Sequence, residues 1–168
     1  GAAAATPAPA VTLDQAVRDG DPVALHDYAL ELIQSGERTR GVQLLREAAG
    51  RGLVMAEYRL AKLYERGEGV SVDINAARLW TERAANSGDI NAMHDLGVYY
   101  ARGEGADANP VTAFRWFRQA AAHGLTDSQY NLGVLYEQGR GVTADPEEAL
   151  FWFTLAATNG DEAAAARA

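Results

Sequence analysis

This 168-residue sequence predicts an all-α fold: a right-handed α-solenoid of about four helix-turn-helix repeats. Three observations carry that reading. Gly52, Gly88, Gly124 and Gly160 recur at intervals of 36 residues. The three tryptophans, Trp80, Trp116 and Trp152, share one repeat position, where the first unit has Leu44. Apolar residues within each unit recur at spacings of three and four, the helical period. No segment alternates apolar and polar residues with β-branched enrichment, so no sheet is predicted.

The elements follow in order. Residues 1–11 are rich in Ala and Pro and read as an extended linker. The missing initiator Met and the abrupt ends suggest a piece of a longer protein. The repeat domain is predicted over residues 12–160. Its first residues, TLDQAVRD at 12–19, align with the second half of a B helix and are expected to cap the open end. Residues 21–52 make a unit of 32, aligned at Ala24, Ala29 and Gly41 but four residues short in the middle turn. The three later units have 36 residues each. Residues 161–168 read as the start of a further, truncated helix.

Helix starts are marked at Asp21-Pro22, Asn109-Pro110 and Asp145-Pro146. Each pairs a capping side chain with a proline at the first helical position. Glycines just past the last turn mark the stops. The pairs Gly67/Gly69, Gly103/Gly105 and Gly139/Gly141 occupy the middle turns. Gly97 and Gly133 fall in mid-helix, where glycine costs about 1 kcal/mol relative to alanine. The expected reason is close approach of a neighbouring backbone. Ala77, Ala113 and Ala149 are expected to allow the same on the partner helix. One helix pair cannot bury its apolar face alone, so the units must stack.

Composition excludes several function classes. Without cysteine there is no disulfide framework, thiolate zinc site or thiol nucleophile. A net charge of −8 opposes nucleic-acid binding, which needs a basic face. No apolar run is long enough to span a membrane.

The residues that could carry chemistry read as structural. His26 and His94 share a repeat position with Tyr58 and Tyr130, which suits packing better than metal ligation. His123 sits at a helix C-terminus, where the dipole favours a cation. Glu147-Glu148 suits a helix start for the converse reason. The Gly-x-Gly turns follow helices rather than strands and lack a P-loop lysine. No catalytic residue, metal ligand or cofactor is predicted, and no enzyme.

The unit resembles the Sel1-like repeat, a relative of the tetratricopeptide repeat with a longer middle turn. Residues 128–142, SQYNLGVLYEQGRGV, followed by Asp145-Pro-Glu-Glu-Ala149 and Trp152, carry the resemblance most fully. It covers about residues 21–160. The first unit departs from it, lacking the Gly-x-Gly turn and the tryptophan. The family is known for solenoids whose concave face is lined by the first, or A, helix of each unit. By repeat alignment that face would present Tyr58, Arg59, Lys62 and Arg66, then His94, Asp95, Val98 and Arg102, then Tyr130, Asn131, Val134 and Gln138. The resemblance therefore implies a non-enzymatic scaffold that binds a protein or peptide there. The alternative ligand is peptidoglycan or a muropeptide, held on aromatic platforms. The absence of cysteine sets the chain apart from the cysteine-rich relatives for which enzymatic activity has been proposed.

A narrower resemblance is carried by NAMHDLGVYYARG, AFRWFRQAAAHGLTDSQYNLGVLYEQGRGV and ALFWFTLAATNGD. These strings resemble the repeat region of the PodJ family of alphaproteobacterial polar localisation factors. In that family the repeats lie on the periplasmic side of a single transmembrane helix. The resemblance implies a periplasmic module of a cell-pole organiser anchored in the inner membrane.

Overall fold

A computed structural model describes residues 13–168. The predicted linker at residues 1–11, and residue 12, lie outside that range. Ten helices follow one another among the described residues, with no strand. They are α1 Leu13–Arg18, α2 Pro22–Gln34, α3 Arg38–Gly50, α4 Val54–Arg66, α5 Ile74–Asn86, α6 Ile90–Arg102, α7 Pro110–Ala122, α8 Thr126–Gln138, α9 Pro146–Thr158 and α10 Glu162–Ala165. The A helices α2, α4, α6 and α8 pair with the B helices α3, α5, α7 and α9. The tightest packing joins helices adjacent in sequence, as in a one-dimensional stack. The fold is therefore an α-solenoid.

Local chemistry sets the helix boundaries. Asp21, Asp73, Asp89 and Asn109 each accept a hydrogen bond from the backbone N–H three residues on, at 2.8–3.1 Å. Asp145 accepts from both Glu147 and Glu148, whose acidic side chains also suit the positive end of α9. Pro22, Pro110 and Pro146 stand at the starts of α2, α7 and α9. Gly67, Gly103 and Gly139 end α4, α6 and α8 in the left-handed region, with φ of 70°, 72° and 66°.

The second glycine of each middle turn has a packing reason. A Cβ on Gly105 would stand 2.8 Å from the carbonyl oxygen of Ile74. One on Gly141 would collide with that of Pro110. Each turn thus lies against the start of the preceding unit's B helix. Arg78 Nε ties the Gly105 contact by donating to the Gly105 carbonyl at 2.6 Å. The first unit has no such turn, because only three residues, 35–37, separate α2 from α3.

The core runs the length of the stack. Leu60, Leu96 and Leu132 are fully buried at one repeat position, each contributing roughly 1.5–3 kcal/mol. Ala77, Ala113 and Ala149 are buried against their A helices. The tryptophans are half-buried. Trp80 packs on the cluster around Leu45 and Leu60, Trp116 on that around Leu96, and Trp152 on that around Leu132.

The mid-helix glycines have a different cause from the one expected. Gly97 and Gly133 face the rings of Phe117 and Phe153, not a backbone. Those phenylalanines belong to the B helix of the same unit and are 3% and 2% exposed. A glycine on the A helix makes room for an aromatic ring on the B helix.

Candidate partner-binding face of the A helices

The predicted face residues fall into two successive grooves between A helices and a third, packed group. The first lies between α2 and α4 and has a volume of about 250 Å³. Leu30, Ile33 and Leu63 form its apolar walls, and Tyr58, Arg59, Lys62, Arg66 and Glu68 its polar ones. Arg59 and Arg66 are exposed. Among the described residues the Arg66 guanidinium reaches only Glu68, at 4.0 Å.

The second groove lies between α4 and α6 and is smaller, about 100 Å³. Lys62, Glu65, Asp95, Val98, Tyr99, Arg102 and Glu104 line it. Four of its polar groups, Lys62, Glu65, Asp95 and Tyr99, are engaged with one another or with Tyr58. Lys62 Nζ stands 2.7 Å from Asp95 Oδ2 and 3.3 Å from Glu65 Oε2. The Tyr58 hydroxyl donates to the same Asp95 oxygen at 2.8 Å, and the Tyr99 hydroxyl donates to Glu65. Burial, then the adjoining carboxylate, pushes both tyrosines well above the ordinary phenol range. Burial alone would raise Glu65. The Tyr99 hydroxyl and the Lys62 ammonium outweigh it and hold that carboxyl below its usual value.

The third group lies on α6 and α8. His94 Nδ1 is 2.7 Å from Ser128 Oγ, and its ring meets Phe117 edge-on at 5.4 Å. Burial, helped by Lys62, lowers its pKa, so the neutral ring is favoured. Tyr130 packs on Phe153 at 5.6 Å, and the Arg167 guanidinium covers both rings at 5.8 and 5.3 Å. Val134 packs on the same cluster. Asn131 is half-buried and Gln138 exposed.

The structure thus brings Tyr58, Lys62 and Asp95 together, but as partners of one another. His94, Tyr130 and Val134 are engaged in packing. Arg59, Arg66 and Arg102 remain as exposed cations along the face. Sequence reasoning missed Leu30 and Ile33. Their signal lies in the 32-residue offset of the short first unit, which aligns Leu30 with Lys62 and Ile33 with Glu65. Among the described residues no three His, Asp or Glu side chains gather to hold a metal ion. Nor is any described helix long and apolar enough to cross a membrane.

Residues 54–89, 90–125 and 126–161 each match the Sel1 repeat. A stretch of 60 residues is 51% identical to the localization factor PodJL of Caulobacter vibrioides, covering 35% of this chain and 6% of that protein. A uropathogenic Escherichia coli protein, c5321, described as a protective antigen with an SLR fold, superposes with a TM-score of 0.84 at 33% identity. That match covers 90% of this chain and 33% of the other. A Sel1 repeat protein from Oxalobacter formigenes superposes with a TM-score of 0.81 at 32% identity, covering 91% of this chain and 46% of the other. The chain therefore spans less than half the length of each of these relatives.

Proposed function

The chain belongs to the Sel1 repeat family, and from that premise we propose that it binds a protein or peptide on the face of its A helices. Sel1 repeat proteins are generally non-enzymatic protein-interaction scaffolds. The observation that carries the reading is the row of exposed cations, Arg59, Arg66 and Arg102, beside the internally paired Tyr58, Lys62, Glu65, Asp95 and Tyr99. Guanidinium groups bind carboxylates in fixed, two-pronged geometry.

The likeness to PodJL supports a finer proposal: a periplasmic module of a cell-pole organising protein anchored in the inner membrane. Charge reversal at Arg66 and Arg102, with Asn131→Ala, tests the face. Retention of a partner by the immobilised protein should drop at least tenfold while the melting temperature holds. Undiminished retention by all three variants would place the partner elsewhere.

A second reading has one supporting observation. Phe151 is 56% exposed on α9, its ring 5.1 Å from that of Trp152. Such a platform suits stacking on a sugar of peptidoglycan or a muropeptide. Sedimentation with purified peptidoglycan, abolished by Phe151→Ala, supports it; protein remaining in the supernatant counts against it.

A further inference from the structure

We propose that the groove between α2 and α4 takes a peptide segment in which a bulky aliphatic side chain is flanked by carboxylates. The proposal rests on the A-helix face being the binding surface, and it names the occupant. It comes from comparing two grooves built on the same repeat positions. Leu30 and Ile33 of the first groove align with Lys62 and Glu65 of the second, and Arg59 aligns with Asp95.

Those three exchanges reverse the chemistry. In the second groove Lys62, Glu65 and Asp95 close on one another and leave about 100 Å³. In the first, aliphatic side chains stand at two of the three positions and a lone cation at the third. The space left is about 250 Å³, roughly that of eight waters at about 30 Å³ each. Water there faces Leu30, Ile33 and Leu63, so an apolar side chain displaces it favourably.

Charge fixes what flanks that side chain. Among the described residues Arg59 has neither an ion-pair nor a hydrogen-bond partner, and Glu68 is the one carboxylate lining the groove. Arg59 and Arg66 are seven residues apart on α4, about 10.5 Å along its axis. That distance matches about three residues of extended chain at about 3.3 Å each. A carboxylate one residue before the aliphatic side chain and another two residues after it are three steps apart, so each meets one guanidinium. In a chain of net charge −8 this groove is a local island that attracts acidic segments and rejects basic ones.

The test is a titration of the 168-residue chain with a capped heptapeptide, a central leucine flanked by glutamates, followed by methyl and amide NMR. The expected result is saturable shifts at Ile33 and Leu63. Affinity should fall at least tenfold when glutamines replace the peptide's glutamates, and again with Arg59→Glu at unchanged melting temperature. Leu30→Lys, which installs the second groove's residue, should weaken binding similarly. Absence of saturable shifts at Ile33 and Leu63, or an affinity indifferent to Arg59→Glu, overturns the proposal. The broader reading is tested separately. A partner lost on changing Arg102 or Asn131 but not Arg59 would keep the face and sink this groove.

Discussion

The Phe117 ring fills the space that a side chain on Gly97 would need. A Cβ there would stand 2.9 Å from ring carbons Cδ1 and Cε1. Gly133 and Phe153 repeat the relationship at 2.8 Å. The second unit uses Ala61 and Thr81 at the same positions, both buried. Volume has shifted from one helix to the other. Gly97→Ala gains about 1 kcal/mol of helix propensity but overpacks a closed site, at a cost of about 1–3 kcal/mol. The expected net effect is a loss of about 1 kcal/mol in denaturant melts. Adding Phe117→Thr, which recreates the Ala61–Thr81 pair, should cost less than the sum of the two single changes. Strict additivity would contradict the pairing.

Gly141 carries a second, harsher constraint. Its φ is 72°, and a Cβ would collide with the Pro110 carbonyl, which is backbone and cannot swing aside. Gly141→Ala should cost more than Gly97→Ala, with about 1–2 kcal/mol from the left-handed conformation alone. Comparing the two denaturation midpoints checks the order.

Glu57 is 3% exposed, and its Oε2 has no hydrogen-bond partner. Burial raises its pKa, and Arg83, 3.6 Å away, offsets this only in part. The folded chain therefore holds this proton to higher pH than the unfolded chain does. Stability falls as pH rises through the window from the ordinary carboxylate value to the raised one. Gln129 stands at the same repeat position, bonded to the Ala121 carbonyl and to Asn159. Glu57→Gln should stabilise the protein at neutral pH by about 1 kcal/mol and flatten that slope. Destabilisation at pH 7 would contradict this account.

Glu65 has the opposite sign. Its folded pKa is depressed, so its stabilising effect is complete above the unfolded value and is lost as pH falls through the folded one. Glu65→Gln should lower the melting temperature at pH 7 and have little effect well below the folded pKa. Removing the Tyr99 hydroxyl with Tyr99→Phe should move the acid midpoint of the wild-type Glu65 carboxyl upward.

Much of the fold was legible because it is written in local signals. Asp21-Pro22, Asn109-Pro110 and Asp145-Pro146 mark helix starts through capping and proline geometry that any sequence displays. The 36-residue period fixed the order of the units. Gly97 was readable as a small residue but not as the complement of Phe117, because that contact depends on how two helices rotate against each other. The face was legible as a row of positions, since Tyr58, His94 and Tyr130 align. Whether each position is spent internally was not, because the Lys62–Asp95 and Tyr99–Glu65 contacts cross between units. Leu30 and Ile33 stayed hidden behind the shorter first turn, which breaks the 36-residue register.

The central claim is that the A-helix face, and not the outer B-helix face, meets the partner. Site-specific photocrosslinking in cells tests it most directly, with a photoreactive residue at position 59 or at position 119 on exposed α7 surface. The account predicts one discrete adduct from position 59 and none from position 119. A discrete adduct from position 119 alone would contradict it.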